Sequence, residues 1–468
     1  MFKKILETIC RFGLGILIIC SPLLMGGNRD WVWLSFSFLI IAVFILFLIS
    51  LSFSRTASTF RMGSLLGLII GILTCLFLLM PNENSITDAA QSNTTFESLL
   101  TFDSYKLLEL NYANLYNVDF LFVIYIISCV MVLVLAAQYR LRIIRTTFLI
   151  SIITLSFCLQ SIISISEYFL NVDMLNFDRA ASTAINGTFI NANHLATYQA
   201  CAISFYCGLL FGALHLAILN STNNFITVEH VIEVFYKKST ILVLILIGVL
   251  VLGAAGSRGA IIALAGSLFI FFLLFFWKST TKVTKFQLLI VTAVISLLLL
   301  NSTAAEKLLN VGIADYRYRR IGEWNISFSI FRSNPITGYG FNSFSKIFSL
   351  FRDGSLESNL SFTDSHSSIL KLLVEIGLLG TLTVVSFLSW WYFRIIRAIK
   401  NRTNVRSKQI PILFGILLSV TTIFLHSIVD FTLSIPSIMF LTLLLMGVGI
   451  RLTKKPDSYK IRSRYLSH

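Results

Sequence analysis

Apolar residues run along this chain in continuous stretches of about 20 residues, separated by short polar segments. A helix needs about that length to cross a bilayer, and the stretches lack the alternation typical of membrane β-barrels. The pattern therefore predicts an all-α integral membrane protein. We expect about twelve transmembrane helices, near residues 9–26, 31–53, 63–81, 119–139, 146–169, 194–219, 239–255, 259–277, 285–300, 367–393, 410–429 and 434–450.

The stretch GAAGSRGAIIAL, residues 253–264, places Arg258 between two long apolar runs. Its glycines and serine favour a turn, so we expect two helices joined by a tight hairpin rather than one long helix. Two interpretations of Arg258 stay open. It is either an arginine that snorkels to the membrane interface, or a guanidinium beside a helix N-terminus, a combination that binds anions.

The lysines and arginines test this topology. With the N-terminus in the cytoplasm, 25 of the 37 fall in the predicted inner segments, and each of these segments carries at least two. Such an excess is typical of cytoplasmic loops. We therefore predict that both termini are cytoplasmic and that the first apolar stretch is a retained helix rather than a cleaved signal peptide. Seven of the other basic residues lie in the predicted large periplasmic loop, 301–366.

Composition agrees with many membrane spans. Charged residues make up 13% of the chain, against about 25% in soluble proteins. The net charge of +15 follows from the topology, so we expect no nucleic-acid partner. The seven cysteines lie in or beside apolar runs without a CxxC pair, which favours small buried hydrophobes over disulfides or a zinc site.

Unusual polar residues form five clusters, and all five fall on the predicted outer face. The first two are Arg258 and segment 178–199, in which Asn193 and His194 precede an apolar helix. We expect Asn193 to cap that helix, or both residues to line a site. The last two are DSHSSILKLLVEIGLLG, with His366 and Glu375, and HSIVDF, with His426 and Asp430.

The remaining cluster is segment 315–344, where one helix face is expected to carry Arg317, Arg320 and Trp324 at spacings i, i+3 and i+7. An apolar stripe and a second amphipathic stretch follow, and we expect both to lie on the bilayer surface. The stripe comprises Ile321, Trp324, Phe328 and Phe331, and the second stretch comprises Phe341, Phe344, Phe348 and Phe351.

These residues indicate a particular chemistry. The chain has no P-loop, GxSxG or HExxH motif. Clustered arginines on the outer face favour a phosphate or diphosphate at the level of the lipid headgroups, and a histidine there is a candidate general base. His426 and Asp430 stand at i and i+4, so they are able to hydrogen-bond as a structural pair. Without a second such pair, we expect no metal site.

Five segments in order resemble the motifs of the O-antigen ligase and polymerase superfamily. They are GTFINANHLA, GSRGA, RIGEWNISFSIFRSNPITGYGFNSF, SHSSILKLLVEIGLLG and HSIVDFTLSIP. Members of that superfamily are bacterial inner-membrane glycosyltransferases that use undecaprenyl-diphosphate-linked glycans. The resemblance implies a multi-span helical bundle whose large periplasmic loop covers the site. It divides the chain into N-terminal transmembrane helices with a small outer loop (1–170), a ligase-like catalytic region (171–450) and a basic cytoplasmic tail (451–468).

The resemblance also assigns roles. It implies that Arg258 and Arg320, with Arg317 beside them, hold the diphosphate, and that His366 is the catalytic base, without metal or other cofactor. The family usually has His-Asn where this chain has His366-Ser367. We expect the site to be supported by Asn193, His194, Trp324, Glu375, His426 and Asp430.

The acceptor and the class of protein stay open at this point. A ligase transfers the glycan to lipid A–core, a polymerase to another lipid-linked repeat unit, and an oligosaccharyltransferase to a protein hydroxyl. We favour the ligase. The alternative from a different class is a polysaccharide flippase or transporter. Transporter sites lie near the bilayer midplane, often between related halves, whereas the polar residues here gather at one face.

Overall fold

The computed structural model describes residues 2–52, 112–138, 146–170, 184–220, 228–275, 314–351, 364–401 and 409–453. Regular structure in these ranges is entirely helical, as the sequence predicts. The α-helices there, in chain order, are α1 (Phe2–Leu23), α2 (Asp30–Ser52), α3 (Tyr112–Ala137), α4 (Thr146–Leu170), α5 (Ala192–Asn220), α6 (Val228–Lys237), α7 (Ser239–Ala255), α8 (Arg258–Phe275), α9 (Ala314–Ser333), α10 (Phe344–Leu350), α11 (Ser368–Asn401), α12 (Ile410–His426) and α13 (Pro436–Leu452).

Six of these helices are long and apolar enough to cross a membrane: α1, α2, α4, α5, α8 and α11. Four more are apolar but shorter: α3, α7, α12 and α13. All ten coincide with predicted spans. The other two predicted spans, 63–81 and 285–300, lie outside the described residues. The count of twelve therefore stays a prediction, as do the cytoplasmic termini and the periplasmic position of loop 301–366.

Helices α5 and α12 cross closely at the centre of the bundle. A Cβ atom added to Gly208 would lie 2.3 Å from the main-chain nitrogen of Gly415, and one added to Gly212 would lie 2.2 Å from Cα of Pro411. Small residues permit this approach of two backbones in a membrane bundle. Helix α5 is also well enclosed, because 83% of its apolar stretch is buried inside the protein.

The predicted break at GAAGSRG is confirmed. Helix α7 ends at Ala255, Gly256 takes the left-handed conformation with φ 63°, and α8 begins at Arg258. The hydroxyl of Ser257 accepts the N–H of Ala260 at 3.4 Å, so Ser257 caps α8. A glycine at the C-terminus of one helix and a serine at the N-terminus of the next are the residues that such a hairpin requires.

Three helix N-termini meet at the C-terminal end of α12. Helix α5 runs antiparallel to α12, since Thr197 contacts His426 and Gly212 contacts Pro411. Helix α8 begins there too, since a Cβ on Gly259 would lie 2.7 Å from Nε2 of His426. Finally, the N–H of Ser368 in α11 donates to the carbonyl of Ser427 at 2.9 Å. The positive ends of three helix dipoles therefore surround one segment, 427–431.

Helix α11 is interrupted at Gly377, where φ is 60° and ψ is −167°. The loop after α9 inserts at this break and pairs with α11 through its main chain. Tyr339 and Gly340 donate to Val374 and Glu375 at 3.0 and 2.7 Å. In the other direction, Leu378 and Leu379 donate to Pro335 and Ile336 at 2.8 and 3.2 Å. The loop thereby satisfies backbone groups that the break leaves open.

The second amphipathic stretch packs inside the protein, so its expected place on the bilayer surface is wrong. Phe344 and Phe348 are 1% exposed, in a small core with Ile326, Ile330 and Val374. The rings are covered because α10 packs between α9 and α11. The stripe on α9 agrees better with the prediction, since Ile321 and Phe328 are each 49% exposed.

Candidate active site

Asp430 is the most connected polar residue of the candidate site. Its side chain is 1% exposed. Oδ2 accepts a hydrogen bond from Nδ2 of Asn193 at 2.9 Å and lies 3.8 Å from Nη2 of Arg320. Oδ1 accepts the N–H of Phe431 at 2.7 Å and lies 3.8 Å from Nε2 of His194. Asp430 thus joins α5, α9 and the segment after α12.

Burial changes the acidity of this carboxyl group. Loss of solvent raises the pKa of Asp430 from 3.8 to about 6, although Arg320 and the hydrogen bonds from Phe431 and Asn193 act in the opposite direction. Desolvation disfavours a charged carboxylate, whereas a nearby cation and donors favour it. The larger effect here is desolvation.

Arg320 reaches the site from α9. Its Nη1 donates to the main-chain carbonyl of Val429 at 3.2 Å, and its side chain is 23% exposed. The guanidinium is therefore held against the segment after α12 and keeps an accessible edge. Trp324, one turn further along α9, is half-buried, and its buried Nε1 has no hydrogen-bond acceptor among the described residues. Arg317 belongs to the first turn of α9, and its side chain lies outside the described part of the chain.

His366 stands two residues before α11 with a left-handed backbone, φ 48°. Its ring packs against the ring of Phe431 with centroids 5.1 Å apart, and His194 packs on Phe431 at 4.8 Å. A non-glycine residue at positive φ costs energy and is often found at functional sites. Ser367, which replaces the family's asparagine, caps α11 by accepting the N–H of Leu370 at 3.4 Å. Serine and asparagine are both good helix caps, so a serine at position 367 is able to cap α11 as an asparagine would.

Arg258 begins α8 at the same end of the bundle and is half-buried. Gly259, its neighbour, lies against His426 and Val429, and Val429 also binds Arg320. The backbone next to Arg258 and the guanidinium of Arg320 therefore both lie against Val429. Among the described residues, no carboxylate lies within ion-pair distance of Arg258.

The structure corrects three expectations about supporting residues. Asn193 does not cap α5: Asn191 does, because its Oδ1 accepts the N–H of Asn193 at 2.9 Å, and this frees Asn193 to bind Asp430. His426 forms no hydrogen bond with Asp430, because α12 ends at His426 and the i, i+4 geometry is lost. The ring of His426 instead pairs with Thr197, with Nδ1 and Oγ1 2.7 Å apart.

Glu375 also has a different place from the one expected. It is 3% exposed, and its Oε1 accepts the N–H of Phe344 at 3.4 Å. Phe344 is the first residue of α10. Glu375 therefore holds the inserted loop at the break in α11 rather than supporting the group around His366.

Two residues of the site were missed by sequence reasoning. Glu323 is 1% exposed, with Oε2 3.9 Å from Nε2 of His366. The available signal was spacing: Ile326 and Ile330 stand three and seven residues after Glu323, so the glutamate falls on the apolar face of the helix. Phe431, which separates His194 from His366, carried no signal beyond its position next to Asp430.

The arrangement is suited to binding an anion next to a proton acceptor. Arg258, Arg320 and three helix N-termini supply positive potential at one end of the bundle. A histidine whose ring is held by Phe431 lies beside them. No three His, Cys, Asp or Glu side chains in the described ranges are grouped so that they could hold a metal ion.

Comparison with family models gives one match, described as O-antigen ligase, over residues 241–385. Residues 241–385 belong to the O-antigen ligase family. The resemblance drawn from the five motifs is thereby confirmed. The O-antigen ligase region contains Arg258, Arg317, Arg320, Trp324, His366 and Glu375, while Asn193, His194, His426 and Asp430 lie outside it and reach the site through the fold. No curated protein matches the chain.

The match over residues 241–385 indicates a glycosyltransferase of the ligase or polymerase type, with a lipid-linked glycan and an acceptor as substrates in general. Together with the apolar helices, it indicates a multi-pass membrane protein of O-antigen biosynthesis. The donor lipid, the acceptor and the membrane face belong to the proposal that follows.

Proposed function

We propose that this protein is a bacterial inner-membrane glycosyltransferase of the O-antigen ligase type. It transfers a glycan from undecaprenyl diphosphate to an acceptor hydroxyl on the periplasmic face. The observation that carries the proposal is the gathering of Arg258, Arg320 and His366 around segment 427–431. All three belong to the region that matches the O-antigen ligase family.

Arg258 and Arg320 bind the diphosphate of the donor, with Arg317 as a further cation on α9. Guanidinium groups bind phosphate oxygens through two parallel hydrogen bonds, and helix N-termini favour the same charge. These fixed positive groups stabilise the negative charge that develops on the departing diphosphate, which is the task that a divalent ion performs elsewhere. We therefore expect activity without added metal.

His366 acts as the general base. It removes the proton from the acceptor hydroxyl as that oxygen attacks the anomeric carbon of the glycan. The bond from the anomeric carbon to the diphosphate oxygen breaks, and its electron pair leaves with undecaprenyl diphosphate. We favour lipid A–core as the acceptor, because the matching family is described as O-antigen ligase.

A transfer assay with purified protein tests this proposal. The protein in nanodiscs, with EDTA and without an ion gradient, receives an undecaprenyl-diphosphate glycan and one acceptor: lipid A–core, a second lipid-linked repeat unit, or a serine-rich protein. Mass spectrometry should detect free undecaprenyl diphosphate and glycosylated lipid A–core. Products with another acceptor would instead make the protein a polymerase or an oligosaccharyltransferase.

His366→Ala is the control for the chemical step. The variant should insert in the membrane and bind donor but form no product, because the general base typically contributes about 100-fold to 10,000-fold. Near-normal transfer by this variant would remove His366 from the base role. Absence of transfer by the wild type, together with gradient-driven glycan uptake into vesicles, would make the protein a transporter.

A further inference from the structure

Glu323 is a buried glutamate whose presence the packing of α9 does not explain. It is 1% exposed and shares the inner face of that helix with Ile326, Ser327 and Ile330. Burying a carboxylate is costly unless a partner compensates it, and an apolar residue would pack this face at lower cost. The reason for a carboxylate therefore lies in what it contacts.

One contact of Glu323 is the histidine of the proposed site. Oε2 lies 3.9 Å from Nε2 of His366. The His366 ring also packs on Phe431, and the backbone of His366 is fixed by Ser367 at the cap of α11. The imidazole is thus held from two directions, with Nε2 towards the carboxylate.

We propose that Glu323 is a positioning residue for His366, an inference that rests on the proposed transferase function. Nδ1 of His366 is buried, so Nε2, which lies beside the carboxylate, is the nitrogen that takes the acceptor proton. The 3.9 Å separation is longer than a hydrogen bond, and such contacts at catalytic histidines commonly shorten when substrate binds. The charge of Glu323 also stabilises the imidazolium that forms during transfer.

The resulting step is balanced. Nε2 of His366 takes the acceptor proton, the acceptor oxygen bonds to the anomeric carbon, and undecaprenyl diphosphate leaves with the electron pair of the broken bond. Glu323 keeps its charge throughout and receives no proton. The imidazolium returns its proton to water or to the diphosphate before the next turnover.

Helix α9 then carries two complementary groups three residues apart. Arg320 faces Asp430 and the anion site, while Glu323 faces His366. One rigid helical turn therefore fixes the distance between the cation for the leaving group and the anion for the base. The other titratable or charged groups described near His366 are Arg320, Asp364, Lys371, Glu375, His194, His426 and Asp430.

Glu323→Gln tests the proposal, since glutamine has nearly the same shape and no charge. We expect kcat to fall by about 10-fold to 100-fold with an unchanged KM for the donor. The acidic limb of the kcat–pH profile should move to lower pH, because an imidazole without a neighbouring carboxylate loses its proton more easily. Glu323→Asp should restore part of kcat and return the acidic limb towards the wild-type position.

The matched control is Ser327→Ala, one turn away on the same buried face, where the hydroxyl bonds to the main-chain carbonyl of Glu323. It should leave the acidic limb in place. An equal loss of kcat in both variants, with the limb unmoved in both, would reduce Glu323 to a packing residue and overturn the proposal. Wild-type kcat in Glu323→Gln would do the same.

A measurement without turnover separates this proposal from the proposed function. In protein labelled with ¹⁵N-histidine, the resonances of His366 are assigned by their loss in His366→Ala. We expect the pH at which these resonances shift to be lower in Glu323→Gln than in the wild type, because the imidazolium loses the neighbouring negative charge. The same titration midpoint in both proteins would overturn the role of Glu323, whatever the transfer assay gives. A changed midpoint in a protein that transfers no glycan would refute the transferase instead.

Discussion

At the scale of single residues, Asp430 determines how the polar groups of the candidate site are arranged. It is a buried carboxylate that contacts Asn193, His194, Arg320 and the main chain of Phe431. Breaking such a network at one member leaves the others buried without compensation. Asp430 therefore stabilises the protein and also orients Arg320.

The raised pKa of Asp430 predicts how stability depends on pH. The folded protein holds this proton more tightly than the unfolded chain between the ordinary value of 3.8 and about 6. The contribution to stability is therefore complete below 3.8 and is lost as pH rises through about 6. We expect the contribution of Asp430 to the unfolding free energy to fall between pH 4.5 and pH 7.5 by an amount on the order of 1 kcal/mol.

Asp430→Asn isolates this contribution, because the histidines and other groups titrate in both proteins. The thermal midpoint of the wild type, relative to that of the variant, should fall as pH rises over the same range. Parallel curves for the two proteins would show that Asp430 does not titrate in this window.

Arg258→Lys tests whether Arg258 binds the diphosphate through its forked geometry. Lysine keeps the charge but loses the two parallel donors. We expect kcat/KM for the donor to fall by about 10-fold or more, since hydrogen bonds to charged groups contribute roughly 1.5–3 kcal/mol. The measurement is initial transfer rate against donor concentration. Equal kinetics in the variant would leave Arg258 as an interfacial arginine.

The sequence indicated most of the residues that converge in the site, because polar groups beside apolar runs are costly and therefore conspicuous. His194, Arg258, Arg320, His366 and Asp430 were found in this way. The pairings among them depend on where each helix begins and ends. Helix α5 starts two residues earlier than expected, so Asn191 caps it instead of Asn193, and α12 ends at His426, so His426 does not bond to Asp430. Glu323 remained hidden because its partner lies 43 positions further along the chain.

At the scale of helices, the α5–α12 crossing depends on glycine. Gly208 allows no side chain, because its Cβ would meet the backbone of Gly415 at 2.3 Å. Overpacking of this kind typically costs about 1–3 kcal/mol. We expect Gly208→Ala to lower the thermal midpoint and also transfer activity, because α5 carries His194 and Asp430 lies in the segment that follows α12.

Gly266→Ala is the matched control for that prediction. Gly266 is also a helical glycine, in α8, and its Cβ would meet only Cδ1 of Leu425 at 3.3 Å. A leucine methyl group is able to move, and alanine favours a helix by about 1 kcal/mol over glycine. This variant should match the wild type in stability, and an equal loss in both would contradict a special role for the crossing.

Helices themselves were predictable from apolar length, and so was the break at Gly256, where small residues surround a charge. The break at Gly377 was not, since LLVEIGLLG resembles an uninterrupted apolar helix. The conformation of Gly377 is supported by main-chain bonds to residues 335–340, which no local pattern reveals. For the same reason Phe344 and Phe348 resembled a surface stripe, although the inserted loop buries them.

At the scale of the whole molecule, the predicted orientation places the site at the outer face. Helix α7 separates Lys237 from the Arg258 hairpin, so the two belong to opposite ends of a predicted span. We expect Arg332→Cys, in the predicted periplasmic loop, to react with a membrane-impermeant thiol reagent in intact cells. Lys237→Cys should react only after permeabilisation. Both positions are exposed.

The unmodified protein is the background for this labelling, since Cys10, Cys129, Cys201 and Cys207 are buried. The opposite labelling pattern would invert the orientation and place the site in the cytoplasm. Labelling of both variants in intact cells would instead contradict the number of spans between the two positions.

The loop inserted at Gly377 has a consequence for how such enzymes diversify. It is joined to α11 by main-chain bonds between Pro335–Gly340 and Val374–Leu379, and main-chain bonds are available to nearly every residue type. Side chains such as the exposed Ile336 and Leu379 are therefore open to substitution while the bonds persist. Because these main-chain bonds persist, α9 and α11 keep their relative positions. Substitution at these positions is thus able to change the surface of the inserted loop while the spacing between the two helices stays the same.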